Sequence, residues 1–466
     1  MLDLVTLGRE LSEGKPSGAH VSFVEAFPFG PTQTVEQWAF GNGLRLFVLV
    51  DPAAPVFSYH TWYAVGSRHE KRGKTGLAHL FEHLMFNETE SLAAGVFDQK
   101  LEESGAESNA ATWVDWTYYY ESLPNDRLDL AVDLESERMA RLVLRDPQVT
   151  SEKEVVANER RMRVDDDVDG AISELLYATA FEEHGYGWPT IGWMADIQAF
   201  STDDCNAFYR TYYSPNNATV IVVGDIDRRA LLLRMQATYG ALPAAEIPVE
   251  DMHPEPPQRA ERRLDVEKPT ASEKLVIGWK GPALGDQDHV GLSVLCEVLF
   301  GGRASRMHRA LVQDAEVALE CRGWVSTFRD PGLFDVSVIA RDGVKCERLL
   351  EIVDREIARV LAEAPTEVEL ARVKARLELG LLQSMETCAG KAEQIGFWAV
   401  VTGDPTGAFA RLAEVRRATP ADVLRAARRY LRADARTVIF VRPSAEDDAD
   451  DEGDEGSSGG EDEDAA

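Results

Sequence analysis

The spacing of apolar positions along the chain changes repeatedly between the alternation of strands and the three-to-four-residue period of amphipathic helices. Runs rich in β-branched and aromatic residues predict strands over residues 44–51, 56–66, 111–123 and 216–226. Between the last two of these runs, helical spacing predicts an amphipathic helix over residues 127–143. The pattern is that of a mixed α/β protein.

The same order of elements occurs a second time. When the sequence is shifted by 215 positions, the apolar segment that begins at Gly76 aligns with the one that begins at Gly291. A shift of two further positions pairs Tyr213 with Tyr430. In the second half, the pattern predicts strands or helices over residues 274–281, 332–342, 347–362 and 435–443. We therefore interpret the chain as a duplication.

Composition adds a linker and a tail to the two copies. We predict an N-terminal domain over residues 1–240, an exposed Pro-rich and charged linker over 241–264, and a C-terminal domain over 265–443. The remainder, 444–466, is expected to be a disordered acidic tail, because it has almost no apolar surface to bury. The net charge of −31 makes the surface acidic and disfavours nucleic-acid binding.

The first copy contains the sequence His79-Leu80-Phe81-Glu82-His83. On a helix, residues four apart lie on one face, so His79 and His83 can reach the same metal ion. Glu82 lies beside them, placed to act on a catalytic water, and this order of residues marks the inverzincin type of zinc peptidase. Two histidines on the surface of an amphipathic helix would have the same spacing. The duplication argues against that alternative, because the second copy has Val294 and Val298 at these positions.

A catalytic zinc site usually has three protein ligands, so one ligand is missing from this motif. The predicted helix over residues 150–163 offers two candidates, Glu152 and Glu159, which lie two turns apart on one face. Val155 and Val156 are predicted to face the core. Spacing alone does not distinguish a ligand from a solvated glutamate.

Together, these two segments resemble the pitrilysin/insulinase family of zinc endopeptidases, which includes the mitochondrial processing peptidases. The resemblance extends to about residue 443. It implies two homologous α/β domains, each a mostly antiparallel sheet packed with helices, and one Zn²⁺ per chain held by His79, His83 and Glu159. In this family Glu82 is the catalytic base, and Glu152 supports the catalytic site. The ligands would also accept manganese or cobalt.

The resemblance also assigns a substrate-binding segment. Asn109, Ala110 and Thr112 match the family's edge strand, to which a substrate peptide adds as a further strand. Peptides and unfolded protein segments are the expected substrates, because a folded protein offers no free strand.

One part of the family's site is missing. Active members have an Arg and a Tyr, seven apart, in the second domain, and alignment on Ser305 and Arg306 puts Val312 and Leu319 at those places. We therefore predict a heterodimer with a related, metal-free subunit that carries the Arg/Tyr pair. The alternatives are a self-sufficient homodimer using Arg306 or Arg322, and a non-catalytic scaffold subunit.

Cysteine usage and the N-terminus bear on the compartment. The five cysteines form no close pairs, which favours reduced thiols. The first residues lack a basic segment followed by an apolar run, so no signal peptide is predicted, and no stretch is long enough to span a membrane. A cytoplasmic location is expected. A periplasmic one stays open, because bacterial members of the family are often exported.

Overall fold

The computed structural model describes residues 2–250 and 254–444. Its first unit is built on a seven-stranded sheet with the order β1-β2-β3-β7-β4-β6-β5. The strands are β1 (Val21–Phe29), β2 (Gln33–Phe40), β3 (Arg45–Val50), β4 (Val56–Tyr63), β5 (Glu107–Thr112), β6 (Thr117–Pro124) and β7 (Ala218–Gly224). Neighbours are antiparallel except β3 and β7. Strand β7 is buried at every position, which explains its unbroken apolar sequence, whereas β5 forms one edge of the sheet.

Nine helices accompany this sheet in the described part of the first unit. They are α1 (Leu2–Ser12), α2 (Leu77–Leu84), α3 (Val96–Glu103), α4 (Leu128–Arg141), α5 (Asp146–Arg160), α6 (Val168–Ala180), α7 (Met194–Ala199), α8 (Thr202–Tyr212) and α9 (Arg228–Thr238). One face of the sheet packs against α2, α4, α8 and α9 in a single core, to which β4 contributes Phe57, Tyr59 and Tyr63. This core is the platform on which α2 rests.

The second unit has a five-stranded sheet in the order β10-β11-β9-β12-β8, antiparallel except between β12 and β8. Its strands are β8 (Arg262–Lys268), β9 (Lys274–Lys280), β10 (Ala318–Val325), β11 (Leu333–Ala340) and β12 (Arg436–Pro443). Its helices are α10 (Gln287–Phe300), α11 (Cys346–Ala362), α12 (Glu367–Ser384), α13 (Cys388–Val401), α14 (Gly407–Arg417) and α15 (Pro420–Tyr430). The prediction of two related units with mostly antiparallel sheets is confirmed.

Each unit covers the other's sheet with one helix. Helix α13 of the second unit packs on the first sheet, where a Cβ on Gly396 would collide with the indole of Trp62. Helix α6 of the first unit packs on the second sheet through Ile172 and Leu176. Both sheets are therefore buried on two faces, and the units share apolar cores instead of meeting only through a linker.

Two local predictions were wrong. Residues 111–123 do not form one strand, because the chain turns between Thr112 and Thr117 to make a β5–β6 hairpin. Val155 does not face the core: it is 46% exposed while Val156 is buried, since adjacent residues on a helix point about 100° apart.

The structure describes most of the segment between the units but not the C-terminal tail. Strand β8 begins at Arg262, inside the predicted linker, and residues 251–253 lie outside the described residues. The predicted acidic tail, from residue 445 onward, also lies outside them. In residues 2–250 and 254–444, no helix is long and apolar enough to span a membrane.

Candidate metal centre

Helix α2 begins at a position that requires glycine. Gly76 has φ +97°, and a Cβ there would lie 2.5 Å from the carbonyl oxygen of Ile191. The buried carboxylate of Glu70 accepts hydrogen bonds from the amides of Gly76 and Ala78, both at 2.7 Å, and so caps the first turn. Burial raises the pKa of Glu70 to about 8, and the two amide bonds oppose this shift. The start of the helix is therefore fixed by packing and by a side-chain cap.

The opposite face of α2 is held by the core of the first unit. Leu80, Phe81 and Leu84 are fully buried there. The hydroxyl of Tyr119 on β6 donates to the carbonyl of Phe81 at 3.0 Å. The polar face of α2 then points toward α5.

This face brings His79 and His83 together with Glu159 of α5. Glu159 Oε2 lies 3.5 Å from His79 Nε2 and 3.3 Å from His83 Nε2, and the two ring centroids are 5.0 Å apart. The three donor atoms lie within 4.8 Å of one another, and no other His, Cys, Asp or Glu group in residues 2–250 and 254–444 could hold a metal ion in this way. The structure thus brings the three predicted ligands to one point.

The donor set fits a divalent cation such as zinc. Glu159 Oε2 is buried and faces both rings, but it accepts no well-directed hydrogen bond. A buried oxygen without a partner is consistent with a site for a metal ion. Burial lowers the pKa of His79 to about 4, which keeps its imidazole neutral and able to ligate. The contact with His83 holds the pKa of Glu159 below its usual range, so this carboxylate is ionised. Two imidazoles and one carboxylate are a ligand set of catalytic zinc.

Glu82 and Glu152 lie around this cluster without joining it. Burial raises the pKa of Glu82, and the nearby Thr112 hydroxyl partly offsets that shift. Glu152 Oε2 lies 3.8 Å from His83 Nδ1, the ring nitrogen that does not face Glu159, and its other oxygen accepts from Asn87 at 3.4 Å. Burial also raises the pKa of Glu152.

The predicted substrate segment lies on β5, at the edge of the first sheet. Asn109 is exposed and Thr112 is buried near Glu82. The side-chain oxygen of Asn109 accepts a hydrogen bond from the amide of Ala110 at 2.8 Å. That amide is therefore satisfied locally, and a strand that pairs here would have to replace the bond.

Comparison with known proteins agrees with this arrangement. The family model described as Insulinase (Peptidase family M16) matches residues 48–192, and the model described as Peptidase M16 inactive domain matches residues 199–377. The zinc protease PqqE of Helicobacter pylori is 30% identical over 407 residues, which cover 86% of this chain and 91% of that protein. The chain belongs to peptidase family M16.

Two further M16 relatives extend the comparison. Mitochondrial-processing peptidase subunit beta of Lentinula edodes is 25% identical over 416 residues, covering 85% of this chain and 87% of that protein. A crystal structure described as a protease from Helicobacter pylori has a TM-score of 0.84 and 29% identity, and the match covers 88% of this chain and 99% of that one. The predicted resemblance to the pitrilysin/insulinase family is confirmed.

The second M16 domain has the same scaffold without the cluster. Helix α10 has the fully buried Val294 and Val298 where α2 has its histidines. The carboxylate of Glu297 pairs with Arg376 at 3.0 Å, and the ammonium of Lys374 donates to a backbone carbonyl. In this copy, apolar packing and surface ion pairs occupy the positions equivalent to the metal cluster.

The positions aligned with the family's Arg/Tyr pair lie in separate environments. Val312 is half-buried in a π-helical turn (His308–Asp314), and Leu319 on β10 is 60% exposed. Arg306 is held in a bidentate pair by Glu369, at 2.7 and 2.8 Å, and Arg322 pairs with Glu320. Both arginines named as alternatives therefore have carboxylate partners already.

Sequence reasoning missed three residues at this centre: Glu70, Tyr119 and Arg163. The Nε of Arg163 lies 3.0 Å from Glu159 Oε1. Its i+4 spacing from Glu159 is typical of a helical ion pair and could have indicated it. Glu70 and Tyr119 act through backbone groups of α2, which no sequence spacing predicts.

Proposed function

We propose that this chain is the zinc-bearing subunit of an M16 endopeptidase that hydrolyses peptides or unfolded protein segments. One observation carries the proposal: His79, His83 and Glu159 converge on one point, with the partly buried carboxylate of Glu82 beside them. The complete set of three ligands with a carboxylate placed as a general base argues against a non-catalytic scaffold, which has little use for a base.

The proposed reaction is attack of water on a peptide carbonyl. Bound zinc would lower the pKa of water and polarise the carbonyl. Glu82 would accept the proton from the attacking water and donate it to the leaving amine, so that the peptide C–N bond breaks and both products leave in their ordinary protonation states. Partial burial suits Glu82 to this work, since it raises the pKa of the carboxyl toward the range in which a proton is exchanged.

The ligands and their neighbours have separate roles in this proposal. Glu152 would hold His83 through Nδ1, the nitrogen 3.8 Å from its carboxylate. The free edge of β5 would pair with an extended substrate, with Asn109, Ala110 and Thr112 along the contact. Because main-chain pairing ignores most side chains, a broad peptide specificity is expected.

A partner subunit is part of the proposal. Val312 and Leu319 cannot supply a guanidinium and a phenol, and Arg306 and Arg322 are engaged elsewhere. A relative at 25% identity is by name a subunit, mitochondrial-processing peptidase subunit beta. We infer a heterodimer with a related metal-free chain that carries the Arg/Tyr pair.

The test is cleavage of a quenched fluorescent peptide by the zinc-loaded chain, alone and with a related Arg/Tyr-bearing subunit. The expected result is activity only with both chains, lost in Glu82→Gln. Glu154→Gln is the matched control, because Glu154 is exposed on the same helix as Glu159 and away from the cluster. Full activity of the chain alone would reject the partner, and cleavage that persists in Glu82→Gln would reject the mechanism.

A further inference from the structure

The two oxygens of Glu159 face different groups. Oε2 points to the two imidazoles, at 3.5 and 3.3 Å, whereas Oε1 lies 3.0 Å from the Nε of Arg163. In residues 2–250 and 254–444, Arg163 is the one Lys or Arg within 4.0 Å of this carboxylate. The two oxygens therefore differ: the inner one faces the imidazoles without a directed hydrogen bond, and the outer one forms an ion pair with Arg163.

We propose that Arg163 is a positioning residue that holds the outer oxygen of Glu159 and thereby presents the inner one to the metal. The proposal rests on the metal centre of the proposed function. A carboxylate has two equivalent oxygens and rotates about its terminal bond, so an unheld one spends time in orientations that do not ligate. Groups that hydrogen-bond a metal ligand from behind remove this freedom.

The backbone around Arg163 is fixed, although its side chain is 74% exposed. Helix α5 runs directly into a π-helical turn, Arg161–Asp165, in which the amide of Asp166 donates to the carbonyl of Arg161 at 2.7 Å. A Cβ on Gly170 would collide with the carbonyl oxygen of Arg163, so α6 begins in close contact with the turn. The turn is thereby held from both sides.

Arg160 anchors the same turn to the rest of the first unit. Its guanidinium makes a bidentate pair with Glu174 of α6, at 2.7 and 3.0 Å, and donates to the carbonyl of Gly192 at 2.8 Å. Gly192 lies against Gly76, where α2 begins. Arg163 therefore lies on a segment that is linked to both α5 and α2, the helices of the metal centre.

Two opposing effects decide the size of the contribution. A guanidinium close to a divalent cation repels it, which at a largely exposed site in high dielectric weakens binding on the order of fivefold. The loss of a group that holds a ligand typically weakens binding by about 10- to 100-fold. Together these factors give a net advantage of about 2- to 20-fold in zinc affinity, and roughly 3- to 10-fold, the middle of that range, is expected for Arg163.

Substitutions at residue 163 can separate these effects. The amide nitrogen of glutamine stands at the same number of bonds from Cα as the Nε of arginine, so Arg163→Gln keeps a donor for Oε1 and removes the charge. Arg163→Ala removes both. Arg161→Ala is the matched control, because Arg161 is exposed in the same turn and contacts Asn158 instead of the cluster.

The experiment measures zinc affinity by competition with a fluorescent chelator, together with the unfolding midpoint of each metal-free protein. We expect Arg163→Ala to bind zinc roughly 3- to 10-fold more weakly than the wild type, and Arg163→Gln to bind at least as tightly. Arg161→Ala should match the wild type, and all metal-free midpoints should agree. Equal affinity of Arg163→Ala and Arg161→Ala, or a Gln variant as weak as the Ala variant, would overturn the inference.

His83→Ala separates this inference from the metal centre itself. If the wild type binds zinc and His83→Ala does not, the centre stands whatever residue 163 does. A wild-type chain that binds no zinc at this site would instead reject the proposed function.

Discussion

Helices α2 and α10 occupy equivalent places in the two units, and each packs beside a helix that carries charged residues, α5 or α12. In the first unit the side chains facing the partner helix are His79 and His83, the second of which is 25% exposed. In the second unit they are Val294 and Val298, both fully buried. The fold accommodates either pair of side chains, so a metal centre at the first helix depends on a few side chains and not on the architecture.

The glutamate between these positions is present in both copies, which makes it a direct test of the comparison. Replacing Glu82 with Gln should lower peptide cleavage by about 100- to 10,000-fold, since the positioned base is lost, and should leave zinc bound. Glu297→Gln is its structural equivalent and should have wild-type activity, because Glu297 pairs with Arg376 at the surface. Cleavage rates and zinc content of the assembled enzyme check both. Equal losses of activity in the two variants would mean that Glu297 of the second copy also contributes to cleavage.

The ion pairs of this protein range from buried to exposed. Arg68 is almost fully buried and meets Asp115 at 2.9 Å, Glu250 at 2.9 Å and Asp330 at 2.6 Å. These carboxylates come from the β5–β6 turn, from the segment between the units and from the loop before β11. The cluster therefore ties the turn after β5 to the second unit.

Breaking this cluster should lower the stability of the protein more than breaking an exposed ion pair. Arg68→Ala should lower the free energy of unfolding by about 3–5 kcal/mol, because it leaves the buried carboxylate of Asp115 without its cation. Arg376→Ala, which removes the exposed pair of the second copy, should cost about 0–1 kcal/mol. Urea unfolding of both variants measures the contrast. A small effect of Arg68→Ala would show that water replaces the guanidinium and that the cluster is not sealed.

The fold and the pairing of the two histidines could be predicted from sequence because both depend on local periodicity, whereas only the family resemblance favoured Glu159 over Glu152. The strand over Ala218–Gly224 is a continuous apolar run, and the histidines stand at helical spacing in one copy only. The hairpin turn at 113–116 could not be predicted in this way. Asp115 in the turn pairs with Arg68, which is distant in sequence. Trp113 and Trp116 also continue the aromatic pattern of the strands across the turn. Long-range contacts of this kind leave no spacing to recognise.

Exchanging His and Val between the two helices tests how stability and zinc binding depend on these positions. Val298→His places an imidazole at a fully buried site, where an unsatisfied polar group costs about 1–3 kcal/mol. His83→Val should abolish zinc binding and change the stability of the metal-free protein by less than about 1 kcal/mol, because His83 is only partly buried. Chemical unfolding and metal analysis report the two effects. A Val298→His variant as stable as the wild type would imply that water reaches position 298, as it reaches the partly exposed His83.

A pH-dependent effect is predicted at the junction where α6 covers the second sheet. Asp335 on β11 is half-buried beside Tyr177 of α6, at the wall of a cavity of about 790 Å³, and burial raises its pKa to about 7. An unfolded chain has this group near its usual value of 3.8, so the folded state binds the extra proton between about pH 4 and pH 7. The stability it contributes is present below pH 4 and is lost as the pH rises through 7. Asp335→Asn should therefore match the wild type at pH 4 and exceed it in stability at pH 8, by an amount that urea unfolding at the two pH values would measure. An unchanged difference between these pH values would mean that the pKa of Asp335 is not raised in the folded protein.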